Sequence, residues 1–296
     1  MDINYELYKV FYYVATSLSF SEASKQLYIS QSAVSQSIKT LEKKLEQPLF
    51  IRSTKKVQLT PAGKILLKHI EPAMNLIRRG ESQLLDSGSL GLGQLHIGAS
   101  DTICRYFLVP YLSRFHKEYP NIHIKVTNQT SIGCVDLLEN GSVDLIFTNY
   151  PNSRLGNGKQ VQHIKDFQDC FIASRKYYGE LEHQPLSFKE LLNYPILMLD
   201  RNSTTSEFLH TLFQQHQLDL VPEIELSSND LLLDLADIGL GIAFVPDFCL
   251  ARAGGDLFQI PLKATLPTRQ LALAYSDKMP ISNAAKQFIQ YFSQNS

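Results

Sequence analysis

Apolar residues recur along this chain with two different periods, one before residue 90 and another after residue 94. In the first stretch they return every three or four positions, the spacing of a single face of an α-helix. Leu7, Val10, Phe11 and Val14 form such a stripe and predict a helix over residues 4–17. Val34, Ile38, Leu41 and Leu45 form another, on a helix opened by Ser30. A shorter helix is expected to begin at Ser21, because a Ser hydroxyl accepts from the otherwise unpaired N–H groups of a first turn. Leu27, Tyr28 and Ile29 are expected to fill the tight turn between the two. Residues 49–52 and 57–59 read as short strands, and the turn 53–56 between them carries Lys55 and Lys56 toward solvent.

Thr60 and Pro61 cap and open a long helix that reaches about residue 85. Leu66, Ile70, Ala73, Ile77, Gly80 and Leu84 follow along it at alternating steps of four and three, a heptad seam. A lone helix cannot bury such a seam. Pairing with a second copy of the chain buries it, and packing against its own domain is the alternative. Pro72 removes one backbone bond and predicts a kink there. Residues 87–93, mostly Ser and Gly, read as a hinge.

From Gln94 the period falls to two in short runs that alternate with helical stretches. Leu95, Ile97 and Ala99 alternate, as do Ile122, Ile124 and Val126, and a buried strand is expected over 143–147. Helices are expected over 105–117 and 132–138. A second set has strands near 170–174, 196–199, 223–226 and 242–246, with helices near 206–216 and 230–238. The polar stretch 150–160, rich in Pro, Asn and Gly, is expected to carry the chain from one set to the other. The fold class is therefore α/β behind a helical head, and two similar halves imply a cleft between them, where open α/β sheets take ligands.

Composition narrows the classes. With 296 residues, 44% of them apolar and 19% charged, the chain has material for a small domain and a larger one. It holds no apolar run long enough to span a bilayer, and its first ten residues lack the basic-then-apolar order of a signal peptide, so a cytoplasmic location with no membrane partner is expected. The four cysteines, Cys104, Cys134, Cys170 and Cys249, show neither metal-ligand nor disulfide spacing and read as small buried hydrophobes. The formal net charge of −1 is unevenly spread: residues 1–90 carry twelve Lys and Arg against eight Asp and Glu. A basic head on an acidic body fits a polyanion-binding module joined to a domain that does not bind polyanions.

The polar face of the Ser30 helix carries Gln31, Ser32, Ser35, Gln36 and Lys39, short or amide side chains able to hydrogen-bond base edges in a major groove. With the preceding helix and the basic hairpin, this is the layout of a winged helix-turn-helix. Residues 3–63 resemble the DNA-binding domain of LysR-type transcriptional regulators. The residues that carry the likeness are Ala23, Leu27, Ser30, Gln31, Ser35, Ile38, Leu41, Glu42, Leu49, Phe50, Arg52, Leu59, Thr60, Ala62 and Gly63. One departure is Glu46, where that family usually places a Gly to end the recognition helix. The resemblance implies that Arg52 and the wing lysines, Lys55 and Lys56, reach the DNA backbone or the adjacent minor groove; an internal salt bridge is the other reading of Arg52.

The resemblance continues, more weakly, over 94–100, 115–120, 141–145 and 239–246, which are similar to the effector-binding domain of the same family. It implies domains at 1–60 and 91–296 joined by a linker helix and hinge at 61–90. The larger domain would divide into subdomain I, about 91–160 with 266–296, and subdomain II, about 161–265, the last segment returning to complete the first subdomain. The cleft would be lined from the strand-to-helix loops by Ser100, Asp101 and Thr102, by Gln129, Thr130 and Ser131, by Thr148 and Asn149, and by Asn202, Ser203 and Thr204. Free N–H groups at helix starts favour anions, while Asp101 repels them, so a small polar metabolite with an acidic group, or a zwitterion, is the expected effector. Plain helix capping explains any single one of these clusters equally well. Other expected partners are double-stranded DNA with an inverted-repeat operator and the chain itself, as a dimer or tetramer through the linker helix.

No cofactor is expected. The chain has no HExxH, GxSxG or GxxxxGK[ST] motif, and the glycine pairs at 91–93 and 239–241 lack the third glycine of a dinucleotide-binding turn. His96, His123 and His163 lie scattered on or near strands and read as core or edge residues, with a general base as the other reading. The competing class is a small-molecule-binding protein or enzyme of similar α/β shape with an appended basic head. Deleting the first ninety residues separates the two.

Overall fold

The computed structural model describes residues 3–52, 56–86, 93–250 and 256–293. The turn carrying Lys55 and the hinge at 87–92 lie outside the described residues. Two compact units make up the chain, one running through Leu85 and the other comprising nearly all the rest.

The first unit holds α1 (Tyr5–Ser17), α2 (Phe20–Leu27), α3 (Gln31–Leu45), a hairpin of β1 (Phe50–Arg52) and β2 (Val57–Leu59), and α4 (Pro61–Asp86). The apolar stripes close on one another: Val10, Phe11 and Val14 of α1, Ala23 of α2, and Val34, Ile38 and Leu41 of α3 are buried together with Leu49 and Phe50. Ser19, and not Ser21, caps α2. Its backbone is extended, as a cap requires, and its Oγ accepts from Glu22 N–H at 3.2 Å, whereas Ser21 already lies inside the first turn. Ser30 caps α3, accepting from Ala33 N–H at 3.2 Å.

In the turn between α2 and α3 only Leu27 joins the core. Tyr28 is 95% exposed and Ile29 is exposed as well, contrary to the expectation that both fill the turn. The reason is backbone geometry: Tyr28 closes α2 in the left-handed region, at φ 55°, which swings its side chain outward. Glu46 closes α3 in the same way, at φ 53°, so the helix keeps the left-handed end that the family builds with glycine. The conformation costs a residue with a Cβ about 1 kcal/mol. It is held by bonds from the N–H groups of Glu46 and Gln47 to Lys43 O and Glu42 O. One turn earlier, Oε1 of Glu42 accepts from the N–H groups of Leu49 and Phe50, at 2.8 and 3.2 Å, and so fixes where the hairpin leaves α3.

Helix α4 opens under Thr60, whose Oγ1 accepts from Gly63 N–H at 3.0 Å. Gly63 has to be glycine, because a Cβ there would stand 2.2 Å from the carbonyl oxygen of Leu49. The helix runs as one element through Pro72. Its seam divides: Leu66 and Ile70 pack onto the core of the first unit, while Ile77 and Leu84 are 55% and 77% exposed. Packing on its own domain thus accounts for the first part of the seam and not the second. Arg78 ties the middle of the helix to α1 by donating from Nη1 and Nη2 to the hydroxyls of Tyr12 and Tyr13, at 3.0 and 3.1 Å.

The second unit begins with β3 (Gly93–Ala99), the short α5 (Asp101–Ile103), a π-helical turn over Cys104–Leu108, α6 (Val109–Glu118), β4 (Ile122–Asn128), α7 (Ser131–Glu139), β5 (Leu145–Tyr150) and β6 (Lys159–Phe167). It continues with β7 (Asp169–Ser174), α8 (Arg175–Tyr178), α9 (Phe188–Leu191), β8 (Ile196–Leu199), α10 (Thr204–Gln215), β9 (Ile224–Leu226), α11 (Asn229–Asp237), β10 (Ile242–Pro246), α12 (Asp247–Leu250) and β11 (Leu257–Gln259). It ends with β12 (Arg269–Ser276) and α13 (Asn283–Ser293).

Two five-stranded sheets result, in the orders β4-β3-β5-β12-β6 and β11-β7-β10-β8-β9. Strands β3, β4 and β5 are parallel, and β12 runs antiparallel to both β5 and β6. The chain therefore crosses between sheets at Gln168, and returns between β11 and β12. The polar stretch 150–160 does not make that crossing: it leads into β6, which pairs with β12 and keeps residues 161–167 in the first sheet. Strand β6 is an edge strand with alternate side chains in solvent, so its sequence KQVQHIKDF carries little apolar signal.

Candidate functional site

On the first unit, the polar face of α3 is open. Gln31, Ser32, Gln36 and Lys39 are exposed, and Ser35 is half-buried. Ser32 Oγ lies 2.9 Å from the capping Ser30 Oγ, so its orientation is coupled to the helix start. Lys43 and Lys44 extend the exposed surface toward the helix end, and Lys56 is exposed where the hairpin returns. Of Arg52 only the backbone is described, paired with Val57 in the hairpin.

In the second unit, strand-to-helix connections of both sheets open on one cavity of about 450 Å³. The first sheet contributes Ser100, Asp101 and Thr102 after β3, Asn128 to Ser131 after β4, and Asn149 near the end of β5. The second contributes Leu199, Asp200 and Ser203 to Thr205 between β8 and α10, and Ser227, Ser228 and Asn229 before α11. Nine of the eleven residues expected there line the cavity, which makes their convergence a property of the fold and not of one loop.

Thr148 and Asn202 do not line it. Successive residues of a strand face opposite ways, so Thr148 and Asn149 cannot both look into the cleft. Thr148 is fully buried behind it, accepting from Asn152 Nδ2 at 2.8 Å. Asn202 is exposed in the turn before α10, where its N–H donates to Asp200 Oδ1 at 3.0 Å. The third wall, Ser227 to Asn229, went unread in the sequence. Its signal is the one used elsewhere, a Ser cap directly after a strand: Ser228 Oγ accepts from Leu231 N–H at 3.3 Å.

The lining is polar without being basic. None of the described residues lining the cavity is Lys, Arg or His, and two, Asp101 and Asp200, are carboxylates. Several hydroxyls double as caps: Ser100 accepts from Ile103 N–H, Thr130 from Gly133 N–H and Ser203 from Ser206 N–H, at 3.3, 3.1 and 3.1 Å. Ser100 and Thr130 still have a proton to give, while Ser203 Oγ donates its own to Asp200 O at 3.1 Å. Two amide oxygens, Oδ1 of Asn149 and of Asn229, are buried with no partner among the described residues. Cys104, beside this wall, is pushed up to about 11 by burial and then by the Asp101 charge, so it stays a thiol and donates to Asn128 Oδ1 at 3.6 Å.

Behind the α10 side stands a buried ion pair. Arg269 Nη1 is 2.7 Å from Asp169 Oδ2, and both side chains are at most 1% exposed. The same Nη1 donates to Thr205 Oγ1 at 3.2 Å. Burial pushes the Asp169 carboxyl up, against the pull of the guanidinium.

This architecture has known counterparts. Residues 5–64 match the family model described as a bacterial regulatory helix-turn-helix protein of the lysR family, and residues 89–296 match the LysR substrate binding domain. The "HTH-type transcriptional activator CmpR" of Synechocystis sp. is 27% identical over 96% of this chain and 93% of its own. Full-length CbnR complexed with its target DNA superposes with a TM-score of 0.70 at 18% identity, covering 99% of this chain and 100% of that one. The CcmR regulatory domain of Synechocystis PCC6803, in complex with 2-PG, gives a TM-score of 0.62 at 20% identity over 68% of this chain and 96% of that one. With residues 5–64 matched by a helix-turn-helix model and 89–296 by a substrate-binding model of one family, the chain belongs to the LysR family and is a DNA-binding transcriptional regulator controlled by a small-molecule effector.

Proposed function

We propose that α3 reads its operator through Gln31, Ser32, Ser35, Gln36 and Lys39, with Arg52, Lys55 and Lys56 on the DNA backbone, and that the exposed part of the α4 seam pairs two copies over an inverted repeat in the cytoplasm. The cavity between the two sheets of the second unit takes the effector, a small polar metabolite with an acidic group, or a zwitterion. The observation that carries this reading is the convergence of Ser-, Thr- and Asn-rich helix starts from two sheets on one cavity of about 450 Å³. Hydroxyls and first-turn amides favour an anion, and Asp101 and Asp200 confine it to the part of the cavity they do not face. Because the CcmR domain is solved with 2-PG, that compound is the first candidate to try.

The test is to sequence the genomic fragments retained by the purified full-length chain, then to repeat the retention with 2-PG and with metabolites of the enzymes encoded beside those fragments. A shared inverted repeat, with occupancy altered by one small acid, supports the proposal. Retention without any common sequence overturns it.

A further inference from the structure

Arg269 is the largest fully buried side chain of the described residues, and its environment is incomplete for a structural ion pair. A guanidinium has five N–H groups, and it satisfies a carboxylate best as a two-pronged fork. Here a single nitrogen, Nη1, meets both Asp169 Oδ2 and Thr205 Oγ1, while Nε, Nη2 and the second Asp169 oxygen have no partner among the described residues. The rings of Phe167 and Phe208 cover the guanidinium, 5.3 and 5.0 Å from centroid to carbon, and Arg269 is 1% exposed.

The consequence falls on Thr205, which lines the cavity and is 2% exposed. Its oxygen accepts from a cation, so its own proton has to be donated elsewhere, and the described residues offer no acceptor. A hydroxyl bonded in this way is a stronger donor than a free one. Beside it, the first-turn N–H groups of Thr204 and Thr205, on the twelve-residue α10, also have no backbone acceptor among the described residues. Asp200, nearby, has one carboxylate oxygen engaged by Asn202 N–H. Asp101, on the wall from the first sheet, likewise has one oxygen engaged, by Asn128 Nδ2 at 3.4 Å, so each wall carries one carboxylate and the buried cation behind α10 is what distinguishes them.

We propose that Arg269 is a specificity-determining residue of the cleft, a buried cation that acts through the Thr205 hydroxyl to reserve the α10 end of the cavity for the acidic group of the effector. This rests on the effector reading of the cavity. Arg269 is a positioning residue, since Thr205 stands between it and the ligand, and Asp169 sets how much of its charge reaches Thr205.

The test measures binding of 2-PG, of glycolate and of its uncharged counterpart glycolamide to the full-length chain, by calorimetry and by thermal shift. Thr205→Val keeps the shape and removes the hydroxyl, so it should weaken 2-PG and glycolate roughly tenfold or more and leave glycolamide nearly unaltered. Asp169→Asn leaves the guanidinium uncompensated and should raise the preference for glycolate over glycolamide, a change of sign that a merely structural pair does not produce. Arg269→Gln should abolish that preference and Arg269→Lys should restore part of it. Should the glutamine variant not fold, the other two substitutions still decide the matter. An unchanged preference in both Thr205→Val and Asp169→Asn, with binding retained, overturns the role of Arg269 and leaves the effector site standing. If neither the anions nor glycolamide bind the wild-type chain, the effector reading falls and this proposal with it.

Discussion

Thr102 and Asn229 join the two walls of the cavity: Nδ2 of Asn229 donates to Thr102 Oγ1 at 2.9 Å, linking the loop after β3 to the start of α11. The same walls meet again where the Tyr106 hydroxyl donates to Asp230 Oδ1 at 2.6 Å. Because Oδ1 of Asn229 already lacks a partner, the bond to Thr102 is the one that satisfies this buried amide. Thr102→Val should therefore destabilise the ligand-free second unit by about 1–3 kcal/mol, the cost of an orphaned buried donor. Urea unfolding of wild type, Thr102→Val and Thr102→Ser checks it, with the serine variant close to wild type; equal midpoints for all three would show that the walls are not held this way in solution.

The exposed face of α3 separates two kinds of contact. If α3 reads DNA as proposed, Gln36→Ala, which removes an amide exposed on α3, should lose about 1–3 kcal/mol on the cognate operator while relaxing preference at one base pair. Lys56→Ala should weaken all sequences alike and reduce the salt slope by about one unit. Binding titrations on operator and random DNA at several salt concentrations distinguish them. Equal losses on both DNAs for Gln36→Ala would remove its reading role.

Ile77, 55% exposed on α4, lies in the part of the seam that the first unit leaves uncovered. A charge there is incompatible with a paired helix seam. Ile77→Glu should shift the chain toward monomer in analytical ultracentrifugation and weaken binding to an inverted repeat far more than binding to a half-site. A mutant that sediments as the wild type does would show that the seam serves another contact.

Glu46 sits at φ 53° where glycine would be free of strain. Glu46→Gly should stabilise the first unit by up to about 1 kcal/mol, since the left-handed conformation is held against the Cβ in the native chain. Glu46→Ala keeps the Cβ and should give no such gain. A thermal melt of residues' helical signal in the three proteins is the measurement, and a glycine variant less stable than wild type would mean the side chain makes up for the strain.

The sequence by itself determined the elements that depend on neighbours along the chain. The stripe Val34, Ile38, Leu41 is buried as its spacing requires, and Ser30, Thr60 and Ser203 cap the helices they precede, because a cap is a matter of four consecutive residues. The exposed polar face of α3 follows from the same periodicity, and the loops carrying Ser100, Thr130 and Ser203 announce themselves as hydroxyls between strand and helix.

Tertiary structure alone decided which distant groups meet. Nothing local places β6 beside β12, since an edge strand with one solvated face has almost no apolar pattern, and nothing local distinguishes Asn149, which faces the cavity, from Thr148, which backs it. The pair Asp169 and Arg269 is separated by a hundred positions in sequence and closed to 2.7 Å by two chain crossings. Local spacing governs which hydrogen bonds a turn can make, whereas a buried charge finds its partner only when whole sheets pack, so the Arg269–Asp169 pair behind the cavity became visible in three dimensions and not before.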